Sequence, residues 1–206
     1  MTVQQEREQV RLTKSLQIPP RSAARTAPRH GAVMTPTAAG VMALVRLATG
    51  FVFLWAFLDK TFGLGYSTAT ENAWIRGGSP TEGFLSGVQV GPLQDTFHEW
   101  AGQTWADWMF MIGLGGIGVA VVLGVALRLA ALAGTVMMAF MWLAEWPPAK
   151  TTGEGEPSLS SNPIVDYHVI YALVLIALAA TYAGNSWGLG RLWARIPLVQ
   201  RVRWLI

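Results

Sequence analysis

A positive charge inside an otherwise apolar stretch constrains this chain most. Val41 to Lys60, VMALVRLATGFVFLWAFLDK, has the length and composition of a membrane-spanning helix, yet Arg46 lies within it and Lys60 at its far end. Arg46, Gly50, Phe53, Phe57 and Lys60 follow one another at +4, +3, +4 and +3, which at 3.6 residues per turn keeps them on one face. Trp55 and Asp59 fall on the other side. Arg46 is then roughly 12 Å or more below the start of its helix. A charge at that depth costs about 2.5–3.5 kcal/mol on insertion scales unless it is paired or reaches water. The striped face therefore looks into a protein interior, where a carboxylate, a carbonyl or a bound anion meets the guanidinium. Snorkelling of Arg46 to the headgroups is the alternative.

Composition agrees with a bilayer. Hydrophobic residues make up 52% of the 206 residues and charged residues only 13%, too apolar for an ordinary soluble domain. Ten tryptophans and 22 glycines suit interfacial aromatics and close helix packing. There is no cysteine, which excludes disulfides, thiol relays and cysteine-held iron–sulfur clusters within this chain. The chain is basic, with a pI near 9.6, but its charges sort by side of the membrane and do not form a nucleic-acid footprint.

The expected fold is all-α: a four-transmembrane-helix bundle with an outer amphipathic helical segment between the first and second spans. Residues 1–35 are a polar, basic tail without periodicity, read as disordered and cytoplasmic, and they lack the apolar core of a secretory signal. The membrane domain covers 36–186, with spans at about 36–62, 105–127, 129–147 and 164–183. Between the first two, Leu93, Phe97 and Trp100 share one side of an amphipathic stretch on, or dipping into, the membrane surface. Gly116, Ala120 and Gly124 form a small-residue seam on the second span. Asn162-Pro163 looks like a cap with proline at the first position of the fourth helix. Residues 187–206 mix Trp187, Trp193 and Trp204 with four arginines, an interfacial cytoplasmic tail. The positive-inside rule puts both termini in and the long loop out.

The ionisable groups concentrate at one level. Lys60 ends the stripe of the first helix, Glu145 ends a face of small and Met residues on the third, and Asp166 opens the fourth. Such convergence beneath a cap of 83–100 favours a site over scattered helix-end charges. Lys60, Glu145, Asp166 and His168 are the candidate catalytic groups, although Asp166 in a first helical turn also suits the helix dipole. Asp166 and His168, two apart, project roughly 200° from each other on a helix, so periodicity does not pair them. No ligand spacing supports a metal site. P-loop, Rossmann, HExxH and nucleophile-elbow motifs are absent, as are the paired histidines a membrane haem needs.

The pattern Arg46-x3-Gly50-x2-Phe53 with Lys60 resembles the first helix of the DoxX/DoxD-like membrane proteins. PTEGFL with GPL and a following Phe resembles the DoxD branch, as do LGVALRLAAL, the Met-rich third helix, and NPIVDYHVIYALVLIALA followed by AGNSWGLGR. The resemblance covers roughly Val41 to Arg191. It implies a four-helix bundle in a bacterial or archaeal cell membrane. The DoxD branch is named for the large subunit of a thiosulfate:quinone oxidoreductase, which joins two thiosulfates to tetrathionate and passes the electrons to quinone beside a smaller second subunit. That chemistry needs fixed cations for two sulfur dianions, for which Lys60 and Arg76 are the candidates. It also needs an apolar slot for quinone ending in a donor or carboxylate, for which Arg46, Glu145, Tyr167 and Tyr171 are the candidates. Quinone is the implied cofactor, and the bilayer and a second protein subunit are the implied partners. Two other readings stand beside it: a non-catalytic anchor or assembly subunit of a larger complex, and a carrier of a small anion.

Overall fold

The computed structural model describes residues 34–158 and 160–205. The expected basic tail lies outside these residues up to position 33. Among the described residues there are helices and no strand. Three helices are long and apolar enough to cross a membrane: α1 (Pro36–Phe62), with α4 (Thr104–Leu123) and α5 (Leu127–Glu145) further along the chain. Between α1 and α4 lie α2 (Glu82–Ser86) and α3 (Gln94–Trp100). A shorter apolar helix, α6 (Tyr167–Ala180), follows α5, and α7 (Gly190–Trp193) and α8 (Pro197–Arg201) complete the order.

Helix α1 has the predicted bounds because both of its ends are written locally. The Thr35 side chain accepts from the Ala38 amide, Pro36 occupies the first turn, and Gly63 at φ 65° closes the far end with its N–H on the Asp59 carbonyl. Helix α4 stops earlier than predicted, because Gly124 takes φ 73° and returns hydrogen bonds to Ala120 and Val121. Helix α5 accordingly begins and ends about two residues early.

The largest departure is α6. At 14 residues it is roughly 21 Å long, short of a hydrocarbon core of about 30 Å. Asn162 does not cap it. The Asn162 Oδ1 accepts from the amides of Ile164 and Val165, a local turn that keeps the backbone out of the helix. The cap is Asp166, in extended conformation, with its side chain accepting from the Val169 amide. At the other end Tyr182 adopts φ 52° and the chain tightens into a 3-10 turn over Ala183–Asn185.

Helix α1 packs most extensively on α4, α5 on α6, and α4 against α5, while Phe53 of α1 meets Tyr171 of α6 edge to face at 6.2 Å. One shared core results, built from Phe53, Met111, Leu114, Ile117, Met138 and Leu175 among others. The close α1–α4 approach runs through glycines other than the expected seam. A Cβ on Gly118 would stand 2.6 Å from the Leu54 amide nitrogen, and one on Gly50 2.7 Å from that of Val122. Gly116 has nothing within 4 Å and faces open space. The outward faces remain apolar, with Met109 68% and Ile112 65% exposed, as lipid contact requires and water would penalise.

The amphipathic segment expected around Leu93, Phe97 and Trp100 is not one continuous helix. Helices α2 and α3 are separate, and Phe97 and Val88 are buried against Ala144 and Leu143 at the end of α5. A carboxylate on α4 ties this cap down. Asp107 is buried and accepts at Oδ1 from the Thr81 amide (3.0 Å), the Thr81 hydroxyl (2.6 Å) and the Ser79 hydroxyl (2.8 Å).

Candidate functional site

The antiparallel helices give the bundle two polar ends. At the first, Arg46 is fully buried, as its place on the α1 stripe predicts, and what it meets is backbone. Its Nη1 donates to the carbonyls of Val121 (2.7 Å) and Val122, and its Nη2 to that of Trp187 (2.9 Å). Its Nε has no partner among the described residues. The last carbonyls of α4 are thereby all accounted for. Ala120 accepts from the Val125 amide, Val121 from Gly124 and Arg46, Val122 from Arg46, and Leu123 from the Leu189 amide at 2.8 Å. A cation at a helix C-terminus also opposes the negative end of the dipole. Cβ atoms on Gly124 and Gly188 would stand 3.2 and 3.1 Å from the guanidinium nitrogens, so both glycines make room for it. Arg46 closes a helix end. It is not gathered with the other candidate groups.

At the other end four of the sequence candidates meet. The carboxylate of Asp166 accepts from Nδ1 of His168 at 2.8 Å. The helical 200° separation does not apply, because Asp166 precedes the helix and its extended backbone turns the side chain back over the first turn. Asp166 thus does two jobs, capping α6 with one oxygen and holding an imidazole with the other. Since Nδ1 donates to a carboxylate, neutral His168 carries its free lone pair on Nε2. That nitrogen belongs to a side chain only 1% exposed and has no hydrogen-bond partner among the described residues. A buried polar atom left in that state costs about 1–3 kcal/mol.

Nε2 lies 4.0 Å from Oε1 of Glu145, at the end of α5. That is too long for a hydrogen bond. The same Oε1 accepts from the Tyr167 hydroxyl at 2.5 Å, so the carboxylate is held from α6. The Tyr167 ring lies against the imidazole, with centroids 4.0 Å apart, and Tyr171 continues toward the core at 6.5 Å from Tyr167. Buried imidazole, half-exposed carboxylate and exposed phenol thus form one graded cluster.

Comparison with known protein families, curated proteins and solved structures finds no match. The cluster has to speak for itself.

The remaining candidates sit apart from it. Lys60 is half-buried at the same end of the bundle, with its ammonium 5.9 Å from the centroid of the Phe110 ring on α4. Among the described residues no carboxylate forms an ion pair with it. Arg76 is exposed on a short 3-10 turn. His98 is exposed on α3, with Nε2 2.7 Å from the Val88 carbonyl. Two carboxylates that the sequence left without a role prove structural. One is Asp107. The other is Asp59, which is buried and accepts from the Tyr66 and Ser67 amides and the Ser67 hydroxyl. A signal for Asp59 was present in the glycines and serine that follow it, which mark a turn needing an acceptor.

Proposed function

We propose that this chain is a membrane redox subunit whose four apolar helices all lie in the bilayer and which exchanges electrons and protons with quinone beside Glu145 and Tyr167. The observation that carries this reading is the graded cluster. A phenol donates to a carboxylate at 2.5 Å on the exposed flank of α5 and α6, backed by the Asp166–His168 pair, whose imidazole is buried. Quinone chemistry moves two electrons and two protons at an apolar ring, and it needs a lipid-facing donor with a proton reservoir behind it. Tyr167 is 52% exposed and supplies the donor, and Tyr171 offers a second ring edge on the way to the core. The resemblance to the DoxX/DoxD-like proteins points to the same chemistry and adds thiosulfate, or another small sulfur anion, as the electron source. Lys60, which forms no ion pair within 4.0 Å among the described residues, is the cation such an anion would meet.

The carrier reading rests on Arg46, and both terminal nitrogens of that side chain are occupied by carbonyls. It is correspondingly weaker. Purified protein should release quinone on solvent extraction and should catalyse thiosulfate-dependent quinone reduction, alone or with a partner subunit. Tyr167→Phe and Glu145→Gln should each slow turnover at least tenfold. Absence of bound quinone, together with no spectral response to added quinol or quinone, would sink the reading.

A further inference from the structure

We propose that Glu145 and His168 are the two protein ligands of a divalent transition-metal site, with Asp166 holding the imidazole from behind. The two donors come from different helices and face each other across 4.0 Å without touching. Metal–nitrogen and metal–oxygen bonds to imidazole and carboxylate run at about 2.0–2.2 Å, so a cation between the donors reaches both at a wide angle, and a closure of the half-exposed Glu145 by roughly half an ångström brings the pair to tetrahedral spacing. Metal-ligating histidines nearly always donate their other ring N–H to a carboxylate or carbonyl, which fixes the tautomer and strengthens the ligand. Asp166 does this at 2.8 Å. Independently of the acidic groups, His168 Nε2 is a buried nitrogen without a hydrogen-bond partner among the described residues, and an ion is a partner it can take. Tyr167 fixes the Glu145 carboxylate in turn, the second outer contact such a site needs.

The donor set selects the kind of ion. One imidazole and one carboxylate, with no thiolate anywhere in the chain, suit borderline divalent ions such as Zn2+, Co2+ or Cu2+ rather than Cu+. Asp166 has one oxygen on the imidazole and the other on the Val169 amide, so it stays outside the first ring of ligands. Two protein ligands leave at least two positions open to water or an exogenous anion. The site is therefore of the open kind that can do chemistry, not the closed kind that only holds a fold.

The inference uses the cluster that carries the quinone reading but does not need quinone, and the two can fail separately. The full chain, purified in detergent and stripped with chelator, is titrated with Co2+ under visible absorption and then with Zn2+ as competitor, with elemental analysis for stoichiometry. One ion per chain is expected. Binding should be lost in His168→Gln, weakened at least tenfold in Glu145→Gln, weakened about 10–100-fold in Asp166→Asn, and unchanged in His98→Gln. Because His168→Gln sits in the core, X-ray absorption on the unaltered Co2+ protein provides a second reading that no substitution can confuse. It should show imidazole scattering from a single histidine. No bound ion at equimolar metal would overturn the proposal and leave a water-bridged pair. So would binding that survives all three substitutions at the cluster, binding lost in His98→Gln, or an X-ray signal without imidazole.

Discussion

Arg46 illustrates how a charge deep in an apolar helix can be structural. Its planar fork of donors reaches carbonyls on two separate segments, the end of α4 and Trp187. Arg46→Leu leaves those carbonyls without their charged donor, and hydrogen bonds of this type contribute about 1.5–3 kcal/mol each. We expect a fall in detergent melting temperature equivalent to at least about 3 kcal/mol, with Arg46→Lys intermediate because an ammonium cannot span both segments. Unchanged melting of Arg46→Leu would contradict the capping role. Asp107 acts similarly but locally. Asp107→Ala removes the acceptor for three donors of the cap. Hydrogen exchange and proteolysis should rise over residues 79–100 while the helical content of the bundle stays as it is. Protection of that segment equal to the parent's would show that the carboxylate is not its anchor.

Among the elements, the α1–α4 interface makes the sharpest distinction between similar residues. Gly116 and Gly118 are two apart on one helix and chemically identical. Gly118→Ala must push the Leu54 backbone away, because its Cβ would stand 2.6 Å from the amide nitrogen and 2.8 Å from the Cα. Overpacking of this kind costs about 1–3 kcal/mol. Gly116→Ala meets nothing and should be neutral, or stabilising by up to about 1 kcal/mol through helix propensity. Melting of the pair side by side checks this, and equal effects would mean that the helices do not cross where the structure has them. The short α6 belongs to this scale too. Its length is set by Asp166 at one end and by the Tyr182 reversal at the other, not by where the apolar run begins or stops.

For the whole molecule, the antiparallel helices separate two polar ends. One holds Arg46 against the α4 carbonyls, and the other holds Glu145, Asp166, Tyr167 and His168 beside the 63–103 and 146–166 connections. The absence of cysteine makes the arrangement easy to test. Single cysteines at Glu71, Gln89 and Glu154, all exposed, lie in the two connections at the end that holds Glu145, while exposed Gln200 follows the Arg46 end. If α6 also crosses, as proposed, and the basic residues lie inside, an impermeant thiol reagent should label the first three in sealed cells and leave the fourth unlabelled. Labelling of Gln200→Cys from outside, or protection of any of the other three, would overturn the topology.

What the sequence determined by itself is whatever depends on local spacing. The helical class, the bounds of α1, the burial of Arg46 and the three long apolar helices follow from periodicity, caps and composition. Glu145 and Asp166 could be placed at one level for the same reason. The tertiary structure decided what depends on backbone outside regular helix or on the partner across an interface. Periodicity rotated Asp166 away from His168, and an extended residue just before the helix brought them to 2.8 Å. The spacing rule marked Gly116 as a packing residue, and the crossing of two helices chose Gly118. Arg46 required an acceptor in either case. That the acceptor is the open end of another helix depends on residues 75 and 141 positions away along the chain, a separation over which no local pattern carries information.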